Sequence, residues 1–71
     1  MLSVVLPAYN EEKMIKKAAS VIGSILQKEK IAYELVFVDD GSTDHTWQEI
    51  ELTGKTDEHV NGLHFSRNFG K

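Results

Sequence analysis

The chain has 71 residues, no cysteine, and eight Lys and Arg against eleven Asp and Glu, a net charge of -3 with histidine neutral. That length allows one small domain with a thin core, and the absent cysteines exclude a disulfide framework or a thiolate metal site. Hydrophobic residues at 41% and charged residues at 27% describe a chain that folds, and the negative balance disfavours a polyanion such as nucleic acid as partner.

Met1 to Pro7 is a short apolar run without the basic flank or small-residue cleavage site of a secretion signal. No stretch approaches the roughly 20 apolar residues that span a bilayer, so a cytoplasmic chain is expected. Leu2 to Leu6 is apolar apart from Ser3 and ends at Pro7, which predicts a first strand buried on both faces. From Glu11 the pattern changes. Met14, Ile15, Ala18, Ala19, Ile22, Ile25 and Leu26 recur at three- and four-residue intervals, with Lys13, Lys16, Lys17 and Gln27 off the stripe. This periodicity predicts an amphipathic helix, N-capped by Asn10, with Glu11 and Glu12 in its first turn and Lys28 and Lys30 near its end. Leu35 to Val38, introduced by Tyr33 and Glu34 and broken by Asp39-Asp40-Gly41, predicts a second strand. Ser42, Thr43 or Asp44 would cap a short second helix through Trp47, Ile50 and Leu52. Gly54 to Asn61 reads as a loop, and Leu63 and Phe65 alternate with His64 and Ser66 as a third strand.

The order strand, helix, strand, helix, strand predicts an α/β fold, a Rossmann-like parallel sheet with right-handed crossovers that makes one mononucleotide-binding half. Three parallel strands and two helices would leave apolar surface and strand edges open. The chain, residues 1 to 71, is therefore expected to be an incomplete domain, whose open edges invite more chain, a partner or self-association.

In open α/β sheets ligands sit beyond the carboxyl ends of the strands. Three clusters fall there: Pro7-Ala8-Tyr9-Asn10-Glu11-Glu12, Asp39-Asp40-Gly41-Ser42-Thr43-Asp44, and Ser66-Arg67-Asn68-Phe69-Gly70-Lys71. The first can be a turn and a helix cap, or a site where Tyr9 offers a base its flat face, Pro7 fixes the loop and Glu11 accepts from a base or sugar. In the second, an Asx turn explains one aspartate. The adjacent pair Asp39 and Asp40 with Asp44 nearby makes more sense facing a donor-rich ligand. Arg67 and Lys71 are either solvated charges or partners for a base edge or diphosphate, with Gly70 permitting close approach. His45, His59 and His64 share no metal-ligand spacing, and Trp47 reads as packing.

At these clusters the chain resembles family 2 glycosyltransferases of the GT-A fold, in particular polyprenyl-phosphate sugar transferases such as dolichol-phosphate mannosyltransferase and bactoprenol glucosyltransferase. Three stretches carry the resemblance in order: VVLPAYNEE at 4 to 12, ELVFVDDGSTD at 34 to 44, and FSRNFGK at 65 to 71. It implies that Pro7, Tyr9 and Glu11 hold the base and ribose of a nucleotide-sugar, a UDP- or GDP-sugar. It implies further that Asp40, preceded by Val38 and Asp39, is the acid contacting the base, and that Arg67 lies near it. The resemblance places the metal-binding Asp-x-Asp after a fourth strand, so Mg or Mn would be held by parts of a full-length parent outside this chain. The acceptor, a lipid phosphate, would also be engaged there, with the parent at the cytoplasmic face of a membrane. No catalytic residue is assigned within the chain.

A non-catalytic nucleotide-binding or assembly module is the alternative reading. A dinucleotide-dependent oxidoreductase fits poorly, because the first loop lacks Gly-x-Gly-x-x-Gly and its two glutamates would repel a pyrophosphate. A phosphoacceptor receiver domain would place its paired acids after the first strand rather than the second.

Overall fold

The computed structural model describes residues 1–65. It contains β1 (Leu2–Ala8), α1 (Ile15–Lys28), β2 (Tyr33–Asp40), α2 (Thr46–Thr56) and β3 (Val60–Phe65). The three strands form one parallel sheet in the order β1-β2-β3. The predicted β-α-β-α-β architecture is thus observed. The register places Ala8 beside Asp39 and Asp39 beside His64, so the carboxyl ends of the strands reach one rim together.

Strand alternation decides what is buried. In β2, Tyr33, Leu35, Phe37 and Asp39 point to the covered face, where the first three join Ile15 and Ala19 of α1 and Ile50 of α2 in the core. Leu35 is fully buried at the sheet centre, and burying a side chain of that size contributes about 1.5–3 kcal/mol. Among the described residues the other face is uncovered: Val5 is 62% exposed and Leu63 51%. The expectation of a first strand buried on both faces is therefore corrected, because both crossover helices join the core on one side. The open face carries a polar row at its far end, where Ser3 Oγ and Asn61 Nδ2 donate to the two carboxylate oxygens of Glu34.

Pro7 does not end β1, which runs on to Ala8. β1 is an edge strand of this three-stranded sheet, and there a proline costs no ladder bond when its nitrogen faces outward. The first helix starts later than its periodicity predicts. Asn10 sits at φ 53°, in the left-handed region, and Glu11 and Glu12 precede α1 instead of filling its first turn. No side chain caps α1. Its far end closes with Lys30 at φ 57° while the N–H groups of Lys30 and Ile31 donate to the carbonyls of Gln27 and Leu26. This is a left-handed cap that satisfies two terminal carbonyls without glycine.

α2 extends through Thr56, so Gly54 to Thr56 are helical rather than loop. Its buried positions are Thr46, Ile50 and Thr53, while Leu52 is exposed. The polar threonines on the inner face hid this stripe from a hydrophobic pattern. β3 begins at Val60, whose side chain enters the core, whereas Leu63 and Phe65 lie on the open face. At Gly62, a Cβ would stand 2.5 Å from Ile50 Cγ2 and 3.0 Å from Trp47 Cζ3, so α2 packs directly on the strand backbone there.

Candidate functional site

Two loops build the rim above the sheet, one after β1 and one after β2. Alternation sends the adjacent aspartates to opposite sides. Asp39 points to the helix side and is fully buried, its Oδ1 accepting the Ser42 N–H at 3.0 Å and the Ser42 hydroxyl. Its Oδ2 accepts no hydrogen bond among the described residues and lies 3.7 Å from His64 Nε2. The imidazole of His64 is in turn stacked on Trp47, with ring centroids 4.6 Å apart. Gly41, at φ 81°, supplies the left-handed turn that follows.

Asp40 points the other way. With Pro7, Ala8, Tyr9, Glu11, Val38 and Phe65 it lines a cleft of about 570 Å³ at the open face of the rim. The structure thus brings Pro7, Tyr9, Glu11, Val38 and Asp40 to one place and leaves Asp39 on the far side of the sheet. The alternation rule alone separates the two aspartates, a signal the reading of them as a joint acidic pair passed over. Phe65, which sequence reasoning did not single out, adds an apolar wall, as its alternation with Leu63 allows. Arg67, Asn68, Gly70 and Lys71 lie outside the described residues.

The cleft has two aromatic side chains, the exposed Tyr9 and Phe65, and two carboxylates, from the exposed Glu11 and Asp40. Pro7, Val38 and Phe65 supply its apolar walls. Ionised carboxylates are acceptors only, so this lining selects a flat ligand with N–H or O–H donors on its edge. A second cleft of about 490 Å³, lined by Asn10, Glu11, Glu12, Lys13, Met14 and Asp44, offers no aromatic surface. There the carboxylates of Glu12 and Asp44 are already bonded to backbone N–H groups of His45, Thr46 and Glu12.

Asp44 also accepts from the Thr46 hydroxyl. Burial alone would raise its carboxyl, but the bonds from the Thr46 side chain and backbone and from the Glu12 backbone outweigh it, leaving Asp44 below the ordinary value of 3.8. Among the described residues no three His, Asp or Glu converge as a metal centre requires, so these residues do not fit a divalent cation. No helix among them is long and apolar enough to cross a membrane.

Comparison with known proteins identifies the family. The family described as glycosyl transferase family 2 matches residues 3–71. An uncharacterized glycosyltransferase of Bacillus subtilis, YkcC, is 38% identical over 68 residues, covering 96% of this chain and 21% of its own. The undecaprenyl-phosphate 4-deoxy-4-formamido-L-arabinose transferase of Shewanella sediminis is 37% identical over 71 residues, covering 99% of this chain and 22% of its own. The bactoprenol glucosyl transferase of Shigella phage SfV is 36% identical over 70 residues, covering 99% and 23%. The chain spans about a fifth of the length of these curated relatives. The family match over nearly the whole chain, on the α/β sheet described above, makes it a member of the family 2 glycosyltransferases.

Proposed function

We propose that residues 1 to 71 form the nucleotide-recognition part of an enzyme that transfers a sugar from a UDP- or GDP-sugar to an acceptor such as polyprenyl phosphate. The observation that carries this reading is the convergence of Pro7, Tyr9, Glu11, Val38 and Asp40 on one cleft at the carboxyl rim of a parallel sheet. Such rims are where α/β folds bind ligands. In this reading Tyr9 stacks on the base, Pro7, Val38 and Phe65 exclude water from its edges, and Asp40 accepts a base N–H. Glu11 then accepts from a ribose hydroxyl.

The acceptor belongs to the proposal through relatives named for undecaprenyl phosphate and bactoprenol. It is consistent with a parent working on the cytoplasmic side of a membrane. A divalent cation, Mg or Mn, would be held by other parts of the parent, since the described residues do not fit one. It would neutralise the diphosphate leaving group. The contribution of this chain is binding and orientation of the nucleoside.

Titration of the chain with UDP, GDP and their sugars, with and without manganese, tests the reading. Saturable binding that survives removal of the metal is expected, because the base contacts need no cation. Absence of binding to all four ligands would leave the alternative, an assembly module without a nucleotide site.

A further inference from the structure

The cleft is divided between two loops, and each half carries negative charge. Glu11 and Asp40 line it, and Glu12 and Asp44 stand close behind. Four carboxylates on two neighbouring loops repel one another, and without a restraint the loops would be driven apart. The restraint is a set of hydrogen bonds between the loops, most of them made by backbone N–H groups to side chains of the opposite loop. Asn10 N–H donates to Ser42 Oγ at 2.9 Å, Glu11 N–H to Thr46 Oγ1 at 2.8 Å, and His45 N–H to Glu12 Oε1 at 2.9 Å.

Asn10, like Glu12, both donates and accepts across the gap, and it does so without a charge. Its Oδ1 accepts the Thr43 N–H at 2.8 Å and the Thr43 hydroxyl at 3.3 Å. It also holds the left-handed backbone, φ 53°, that turns the chain between Tyr9 and Glu11. Asparagine suits both tasks, since its short amide tolerates that conformation and accepts without adding a charge to an acidic rim.

We propose that Asn10 is a positioning residue for the nucleotide cleft, clamping the loop after β1 to the loop after β2 and so fixing the span between Tyr9 and Asp40. The proposal rests on the nucleotide reading above. Asn10 itself touches no ligand in this arrangement. It acts by holding the aromatic face and the acceptor at the separation a base requires, so that binding does not have to pull two repelling loops together.

The test uses the chain with UDP and GDP as probes, at physiological ionic strength, where the repulsion between the loops persists. Asn10→Gly keeps the left-handed turn and loses the acceptor, whereas Asn10→Asp keeps both. Asn10→Gly is expected to weaken nucleotide binding about tenfold and Asn10→Asp to stay within about twofold, the scale of one or two lost hydrogen bonds against none. Hydrogen exchange at the Thr43 amide should accelerate in the glycine variant and not in the aspartate variant. Unchanged affinity for Asn10→Gly, or a loss that Asn10→Asp shares, overturns the proposal. If Asn10→Gly fails to fold, Ser42→Ala removes the acceptor of the Asn10 N–H, and unchanged affinity in that variant overturns the clamp equally. Failure of the unaltered chain to bind either nucleotide removes the underlying site reading, and shows before any variant is made.

Discussion

Replacing each of the adjacent aspartates in turn separates structural from ligand-facing chemistry within one dipeptide. Asp39 is fully buried, accepts from the Ser42 N–H and hydroxyl through one oxygen, and leaves the other without a hydrogen bond among the described residues. In Asp39→Ala the Ser42 donors lose a charged acceptor, and a hydrogen bond to a charged group is worth about 1.5–3 kcal/mol. The change should cost at least that much in a domain whose whole stability is of order 0.05–0.15 kcal/mol per residue. Asp39→Asn keeps an accepting oxygen for the Ser42 donors, so it should cost less than Asp39→Ala. Urea unfolding of the variants measures both. Nucleotide titration supplies the second axis: Asp39→Asn should bind as the unaltered chain does, while Asp40→Asn should weaken binding about tenfold through loss of a charged acceptor. Equal loss of affinity in the two asparagine variants would refute the assignment of these side chains to opposite faces. A neutral Asp39→Ala would refute the structural role.

Two further outcomes follow from packing and charge. Gly62→Ala places a Cβ against Ile50 and Trp47, and overpacking of this kind costs about 1–3 kcal/mol. Thermal unfolding should register it, and an unchanged midpoint would mean that α2 moves away freely. Asp44 has a folded value below its ordinary 3.8, so its contribution is present above that value and is lost as the pH falls through the lower, folded one. Asp44→Asn should flatten that part of the acid limb of stability, and an identical acid limb in the variant would contradict the hydrogen bonds assigned to Asp44.

Much of the fold was legible because its signals are local. The valine-rich runs around Val4 and Val36 and the three- and four-residue spacing from Ile15 to Leu26 announce strand, helix and strand without reference to distant residues. What escaped was governed by contacts between segments. Asn10 looked like a cap for the helix that follows it. It is tied instead to Ser42 and Thr43, more than thirty residues on, and no local pattern encodes that pairing. Glu12 likewise accepts from His45 at the start of α2. Thr46 and Thr53 fill an inner face where hydrophobic periodicity looks for aliphatic residues, so α2 reads as shorter than it is. In the cleft, Pro7, Tyr9, Glu11 and Val38 were visible as strand-end residues, since the parallel topology alone sends them to one rim. Asp39 and Asp40 needed the period of two to be applied residue by residue.

The open face of the sheet carries an apolar row. Val5, Leu63 and Phe65 are each close to half exposed or more, and their row continues into the cleft through Phe65. Covering this face would bury apolar area and shield the cleft floor at the same time. Nucleotide binding and the stability of the sheet are therefore expected to be coupled in any longer form.

In the proposed site the nucleoside lies between Tyr9 and Asp40 on the open side of the rim. Amide chemical shifts of the isotope-labelled chain, followed during titration with UDP and GDP, test it most directly. Changes are expected to concentrate at Ala8, Tyr9, Glu11, Val38, Asp40 and Phe65, with the Ser3, Glu34 and Asn61 row at the opposite end of the sheet unmoved. Saturable shifts centred on Glu12, Lys13 and Met14, with Tyr9 and Asp40 unaffected, would contradict it.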